Sequence, residues 1–188
     1  MSDARYAYHE AGHAVAAAVL GFPFRSSGIH IDHDGVGITR IVCPNRNVSK
    51  PFSDVQAKQT RMVIVLLAGL LAQQKFCPDP SNSAADDELK IRQYLSAIYP
   101  TDEARLTARN YLQQESERLV DLFWDAIKEV ADTLWARECT PITEEWGSIL
   151  PSEKTVGASV VVKILKSWNI SANVDDHTPE DQPNMVDD

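Results

Sequence analysis

Near the front of the chain, residues 6–15 read YAYHEAGHAV and set His9, Glu10 and His13 in the order His-Glu-x-x-His. On a helix, residues four apart lie about 40° apart around the axis and about 6 Å apart along it. Two imidazoles so spaced converge from one face onto one point, as two corners of a tetrahedral zinc site require. Glu10 is turned about 100° from His9. It therefore borders such a metal without binding it, where a carboxylate can act as general base toward a held water. The plain alternative is a histidine pair on a helix surface or one satisfied in a core. Against it, two histidines and a glutamate in an apolar turn are costly to bury without partners. Chance alone yields the five-residue pattern in under about one chain of this size in a hundred. The expected cofactor is Zn2+, with His9 and His13 as ligands and Glu10 as base.

A hydrolytic zinc usually takes three protein ligands and a water. The extension that puts a further histidine six residues after His13 is excluded, because Val19 stands there and Ala16 replaces the glycine between. His30 and His33 fall on a hairpin pattern that faces solvent. The cysteines stay open as ligands, although none lies near an obvious metal-facing position. The better candidate is the acidic run Asp86-Asp87-Glu88. Asp87 shares a helical face with Ile91, Tyr94, Leu95 and Ile98. Asp86 and Glu88 turn toward solvent or favour the helix N-terminus, which is also the plain reading of all three.

The elements that must position these groups are mostly helical. The motif helix starts near Ser2 or Asp3, either of which can cap it, and stops at Gly21-Phe22-Pro23. Residues 28–41 alternate β-branched and polar residues around Asp34-Gly35, a β-hairpin signature. A second helix runs over 53–76 and is apolar all round at VIVLLAGLLA, so it is buried on most sides. Gly69 within it predicts a close backbone approach. A third helix starts at Asp86. Residues 102–137 hold no Gly or Pro and form one long helix or two in tandem, with Thr101 as cap. Thr140-Pro141 opens a short final helix through Trp146 to Leu150. ASVVVKILKSW, within 157–168, fits a strand or a short helix equally well. The fold class is therefore mainly α, with one small hairpin after the motif helix. Residues 1–150 form the domain proper, 151–173 an extension, and 174–188 an acidic, disordered tail.

The net charge of −9 is concentrated in that tail, which holds six acids and no Lys or Arg; without those six the chain carries −3. The body therefore offers no basic stripe for nucleic acid. The longest apolar run, MVIVLLAGLLA at 62–72, falls short of the about 20 residues of a membrane span. No secretory signal is visible, because the first apolar stretch lacks a basic lead and carries His9, Glu10 and His13. Three scattered cysteines, Cys43, Cys77 and Cys139, form no C-x-x-C pair and fit a reducing, cytoplasmic compartment.

HEAGHAV, then a hairpin ending GVGITRI, then LLAGLLAQQKF, then SAADDELKIRQYL, together with WDAIKEVADTLWARECTPITEEW, resembles the peptidase domain of the FtsH family of ATP-dependent zinc proteases over residues 6–150. The resemblance implies a helical zinc peptidase domain with His9, His13 and Asp87 as ligands and Glu10 as catalytic base. Two features depart from the family. Its Gly-Gly-Arg-x-Ala-Glu segment reads Ala68-Gly69-Leu70-Leu71-Ala72-Gln73 here, so Gln73 lacks the charge that could support a ligand histidine. No G-x-x-x-x-G-K-[ST] occurs either, which implies a free-standing peptidase domain without the ATPase module.

The expected activity is metalloendopeptidase hydrolysis of peptides or unfolded protein segments, independent of ATP. The residues leave open whether the chain forms a homo-oligomer or meets a partner ATPase. The hairpin could offer an edge strand to an extended peptide; its plain role is to cover the core. Two other functions fit the motif: a non-catalytic zinc-binding interaction or regulatory domain, and a metal-dependent amidohydrolase on a small substrate. An intact Glu10 argues against the first, since a structural zinc needs no base.

Overall fold

The computed structural model describes residues 4–32, 37–42, 52–78, 85–138, 140–143 and 149–175. Helix α1 (Ala4–Val19) is its central rod: every residue from Ala7 to Ala18 is buried, so the motif is enclosed by neighbouring elements. Small side chains make this possible, because Ala7, Ala11, Ala14 and Ala18 let other elements approach the rod. The helix closes at Gly21, whose φ is +79°. The Gly21 and Phe22 amides donate to the Ala18 and Ala17 carbonyls at 3.0 and 2.8 Å, the paired bonds of a glycine-terminated helix. The expected caps at Ser2 and Asp3 lie outside the described residues.

Helix α2 (Phe52–Phe76) packs along α1 and buries Met62, Val63, Val65, Leu66, Leu67, Ala68 and Ala72. By length and composition alone it could cross a membrane, yet here it also carries α3 and α4 on its flanks. The two backbones meet at a glycine crossing: a Cβ on Gly12 would stand 2.6 Å from the Ala68 carbonyl oxygen. Helix α3 (Ala85–Ile98) lies on α2 and buries the expected face, Asp87, Ile91 and Leu95.

The 102–137 segment is two helices. α4 (Asp102–Leu122) starts where the Thr101 hydroxyl accepts the Ala104 amide at 3.2 Å, and Phe123 breaks it with φ −109° and ψ 22°. α5 (Trp124–Trp135) then turns Ala126, Ile127, Val130, Ala131 and Leu134 onto the core. Fully burying an aliphatic side chain contributes about 1.5–3 kcal/mol, so this face is a main part of what holds α5 on the core, with Tyr8 of α1 also stacked on Trp124 and bonded to Asp132.

The fold is mainly α with a small antiparallel sheet, as expected, but the sheet is larger than a hairpin. Strand β1 (Phe24–Ile31) pairs with β2 (Gly37–Ile41) through Ile29↔Thr39, His30↔Ile38 and Ile31↔Gly37. The expected turn at Asp34-Gly35 falls outside the described residues. On its other side β1 pairs with β4 (Ile149–Val156), which pairs with β3 (Thr140–Thr143), giving the order β2-β1-β4-β3.

The short helix expected from Thr140 through Trp146 to Leu150 is therefore corrected at both of its ends, which are strand; Trp146 and the rest of 144–148 lie outside the described residues. Thr140, Ile142, Thr143 and Ile149 are β-branched and take part in the pairing of β3 with β4. The far end of β4 (Lys154, Thr155 and Val156) fills the second edge of β1, a pairing that no local periodicity announces. The boundary drawn at residue 150 falls inside β4.

The unassigned segment is helix α6 (Ala158–Ser167), which buries Ala158, Val161, Ile164 and Leu165. The chain then returns to β1. Phe24 donates to the Asn173 carbonyl and accepts from the Asp175 amide, each at 2.8 Å. Val174 and Asp175 are thus held against the sheet, and the rest of the acidic tail lies outside the described residues.

Candidate metal centre

Two helices bring three donor atoms to one point. α1 supplies His9 Nε2 and His13 Nε2, which stand 2.9 Å apart, and α3 supplies Asp87 Oδ2 from its first turn, 2.9 Å from His9 and 3.0 Å from His13. The atoms form a nearly equilateral triangle, and the two rings meet edge to face at an interplanar angle of 85°. Zinc bonded to such donors at about 2.0–2.2 Å holds them about 3.3 Å apart in a regular tetrahedron. The triangle thus needs an opening of only a few tenths of an ångström. Two imidazole nitrogens and one carboxylate oxygen also match the donor chemistry of a three-ligand site with a free fourth position.

α2 fixes the orientation of His13. Its Nδ1–H donates to the Val65 carbonyl at 2.9 Å, so that Nε2, once deprotonated, would present its lone pair toward the centre. Gly69 makes room for the ring, since a Cβ there would come within 2.6 Å of His13 Nε2. The close approach expected at Gly69 is therefore one to the His13 ring as well as to the α1 backbone. His9 is held less fully: its Nδ1 is buried and has no hydrogen-bond partner among the described residues.

With no cation present, the triangle shares protons. Burial opposes a charge on His13, but the hydrogen bond and negative charge of Asp87, with a further contribution from Glu10, outweigh it and push the pKa up to about 9. Burial likewise opposes ionisation of Asp87. The hydrogen bonds from His13 and His9 win and hold its carboxyl far below the usual carboxylate range. Lys90 stands 3.8 Å from the other Asp87 oxygen, from a more exposed position.

Glu10 is buried beside this triangle and faces the sheet. Its Oε2 accepts from the Thr39 hydroxyl of β2 at 2.7 Å, and the same hydroxyl lies 2.9 Å from the Glu10 main-chain oxygen. Gly37, two residues earlier on the same face of β2, leaves the space the carboxylate occupies: a Cβ there would stand 2.6 Å from Glu10 Cδ. By donor spacing alone, His9, Glu10 and His13 could also form a cation group, with one donor atom each within 4.8 Å of one another. The triangle through Asp87 is the better cage, because its sides are far shorter and Glu10 is already engaged by Thr39. A carboxylate at Glu10's distance can reach a water at the open position instead.

The structure thus brings together His9, His13 and Asp87, with Glu10 alongside. It separates the others. Asp86 is exposed, and Glu88 makes a two-pronged ion pair with Arg109 of α4, both contacts at 2.7 Å. That pair holds the Glu88 carboxyl below its usual range and braces the helix that presents Asp87. His30 accepts from Arg40 at 3.1 Å on the exposed sheet. Cys77 sits half-buried beyond the end of α2, and His33, Cys43 and Cys139 fall outside the described residues. Gln73 is buried.

Sequence reasoning missed Thr39, the Val65 carbonyl and Arg109. For Thr39 a signal existed: Gly37, Thr39 and Ile41 share one face of a strand, and only that face can meet α1. No family model matches this chain, and no curated protein matches it either.

Proposed function

We propose that this chain is an FtsH-like zinc peptidase domain that hydrolyses peptide bonds in extended segments without ATP. The observation that carries the reading is the triangle of His9, His13 and Asp87 with a buried, separately held Glu10 at its side. Zinc held by those three donors would lower the pKa of a water toward ~7 and polarise a carbonyl oxygen.

Glu10 then takes one proton from the attacking water as its oxygen bonds to the carbonyl carbon. When the carbon–nitrogen bond breaks, Glu10 returns that proton to the leaving nitrogen, so the residue ends as it began. β2 is an edge strand of the sheet, with Ile38 and Arg40 exposed. An extended peptide pairing with that edge runs past Glu10, which favours unfolded segments and flexible termini as substrates.

Burial of Glu10 off the triangle argues against a purely structural zinc, which would close its fourth position with a protein ligand. Glu10→Gln separates the readings. The variant is expected to retain one zinc per chain by elemental analysis while hydrolysis of dye-labelled β-casein falls by about 10²–10⁴-fold. Unchanged hydrolysis would remove Glu10 as base. If the wild type binds zinc but cleaves neither casein nor short peptides, the chain is a zinc-binding interaction domain.

A further inference from the structure

We infer that Thr39 is a positioning residue for Glu10, which makes strand β2 part of the catalytic apparatus and not only a cover for the core. The inference rests on the peptidase reading above. A glutamate side chain has several rotatable bonds, and a base contributes fully only when its oxygen is within hydrogen-bond reach of the proton it removes. Here a single hydroxyl ties the two ends of Glu10 together, with Oε2 at 2.7 Å and the main-chain oxygen at 2.9 Å. Both distances are short enough for the hydroxyl proton to be shared. The carboxylate is thereby held near its own main chain and beside β2, where Gly37 leaves it room.

The register makes this a property of the strand. Thr39 is paired with Ile29 of β1, so the face its side chain is on cannot change unless the sheet slips. A one-residue slip would turn the whole inward face outward. The strand whose open edge would receive a peptide therefore carries on its inner face the group that aims the base. Substrate alignment and base alignment are set by one element.

The test compares zinc-loaded wild type with Thr39→Val, which keeps the shape and loses the hydroxyl, and Thr39→Ser, which keeps the hydroxyl. In the casein assay Thr39→Val is expected to lower kcat by about tenfold with KM within twofold, and Thr39→Ser to restore most of the rate. A second readout needs neither zinc nor turnover: the Glu10 Cδ resonance in protein labelled with [13Cδ]glutamate, assigned by its absence in Glu10→Gln. Wild type and Thr39→Ser should share one shift, and Thr39→Val should move toward the solvent-exposed glutamates. An unmoved resonance overturns the inference. So does a moved resonance with unchanged kcat while Glu10→Gln is inactive. If Glu10→Gln cleaves casein as well as the wild type does, the peptidase reading is what fails, whatever the resonance reports.

Discussion

His13 and Glu10 lie three residues apart on α1, yet the protein holds them by opposite means. His13 belongs to a helical wall of α1, α2 and α3, where a backbone carbonyl, a glycine gap and a carboxylate fix its ring from three sides. Glu10 belongs to a strand wall, where one hydroxyl and one missing side chain fix its carboxylate. The helical wall is rigid because the His13 ring is pinned at once by a backbone carbonyl and a buried carboxylate, and buried close packing does not yield cheaply. The strand wall touches the far end of a flexible side chain, which can give way. The wall that would bind the cation should therefore tolerate little change, and the wall that aims the base should tolerate change at the expense of rate.

The largest effect expected from this contrast is at Gly69. A methyl group in Gly69→Ala overlaps the His13 ring, which Val65 and Asp87 prevent from retreating. Zinc affinity should fall by about a hundredfold or more, with about 1–3 kcal/mol lost from unfolding stability through overpacking. Chelator competition and urea titration measure the two. Retained affinity would mean that the wall is softer than its geometry says.

Next comes pH. Free of metal, His13 is protonated up to about pH 9, so a cation must displace that proton. Zinc affinity should rise about tenfold per pH unit from 7 toward 9 and then level, with about one proton released per zinc at pH 7. Stability of the metal-free protein runs the other way. The raised His13 pKa contributes fully below its ordinary 6.5 and is lost as pH climbs through about 9. The depressed Asp87 pKa contributes above its ordinary 3.8 and is lost as pH falls through its lowered value. Calorimetry in buffers of different ionisation enthalpy reads the proton count, and flat affinity across pH 7–9 would contradict the assignment.

The smallest effect is on the strand wall. Gly37→Ala should leave zinc affinity and fold nearly unchanged, because the Glu10 carboxylate can swing aside, while casein turnover drops by about tenfold. Loss of zinc in this variant would erase the distinction between the two walls.

Much of the helical wall was legible in the sequence. The His-Glu-x-x-His spacing, the apolar face that turns Asp87 inward and the glycine in α2 are local patterns, and each points to a place in the fold. The sheet was only half legible. β1 and β2 announce themselves by alternation, but β4 fills the second edge of β1 and β3 in turn pairs with β4, which are non-local facts. Thr140-Pro141 reads as a helix start in isolation, and pairing of the following residues overrides it. The Val65 carbonyl could not be read at all, since every residue carries one and only the crossing of α1 and α2 selects it.

The central claim is that a cation is held by α1 and α3 together, and zinc affinity of the wild type beside Asp87→Ala tests it most directly. One zinc per wild-type chain is expected. The variant should bind it at least about a hundredfold more weakly, beyond the usual effect of losing a partner outside the ligand set. Equal affinity in the two proteins would remove Asp87 from the site and the two-helix centre with it.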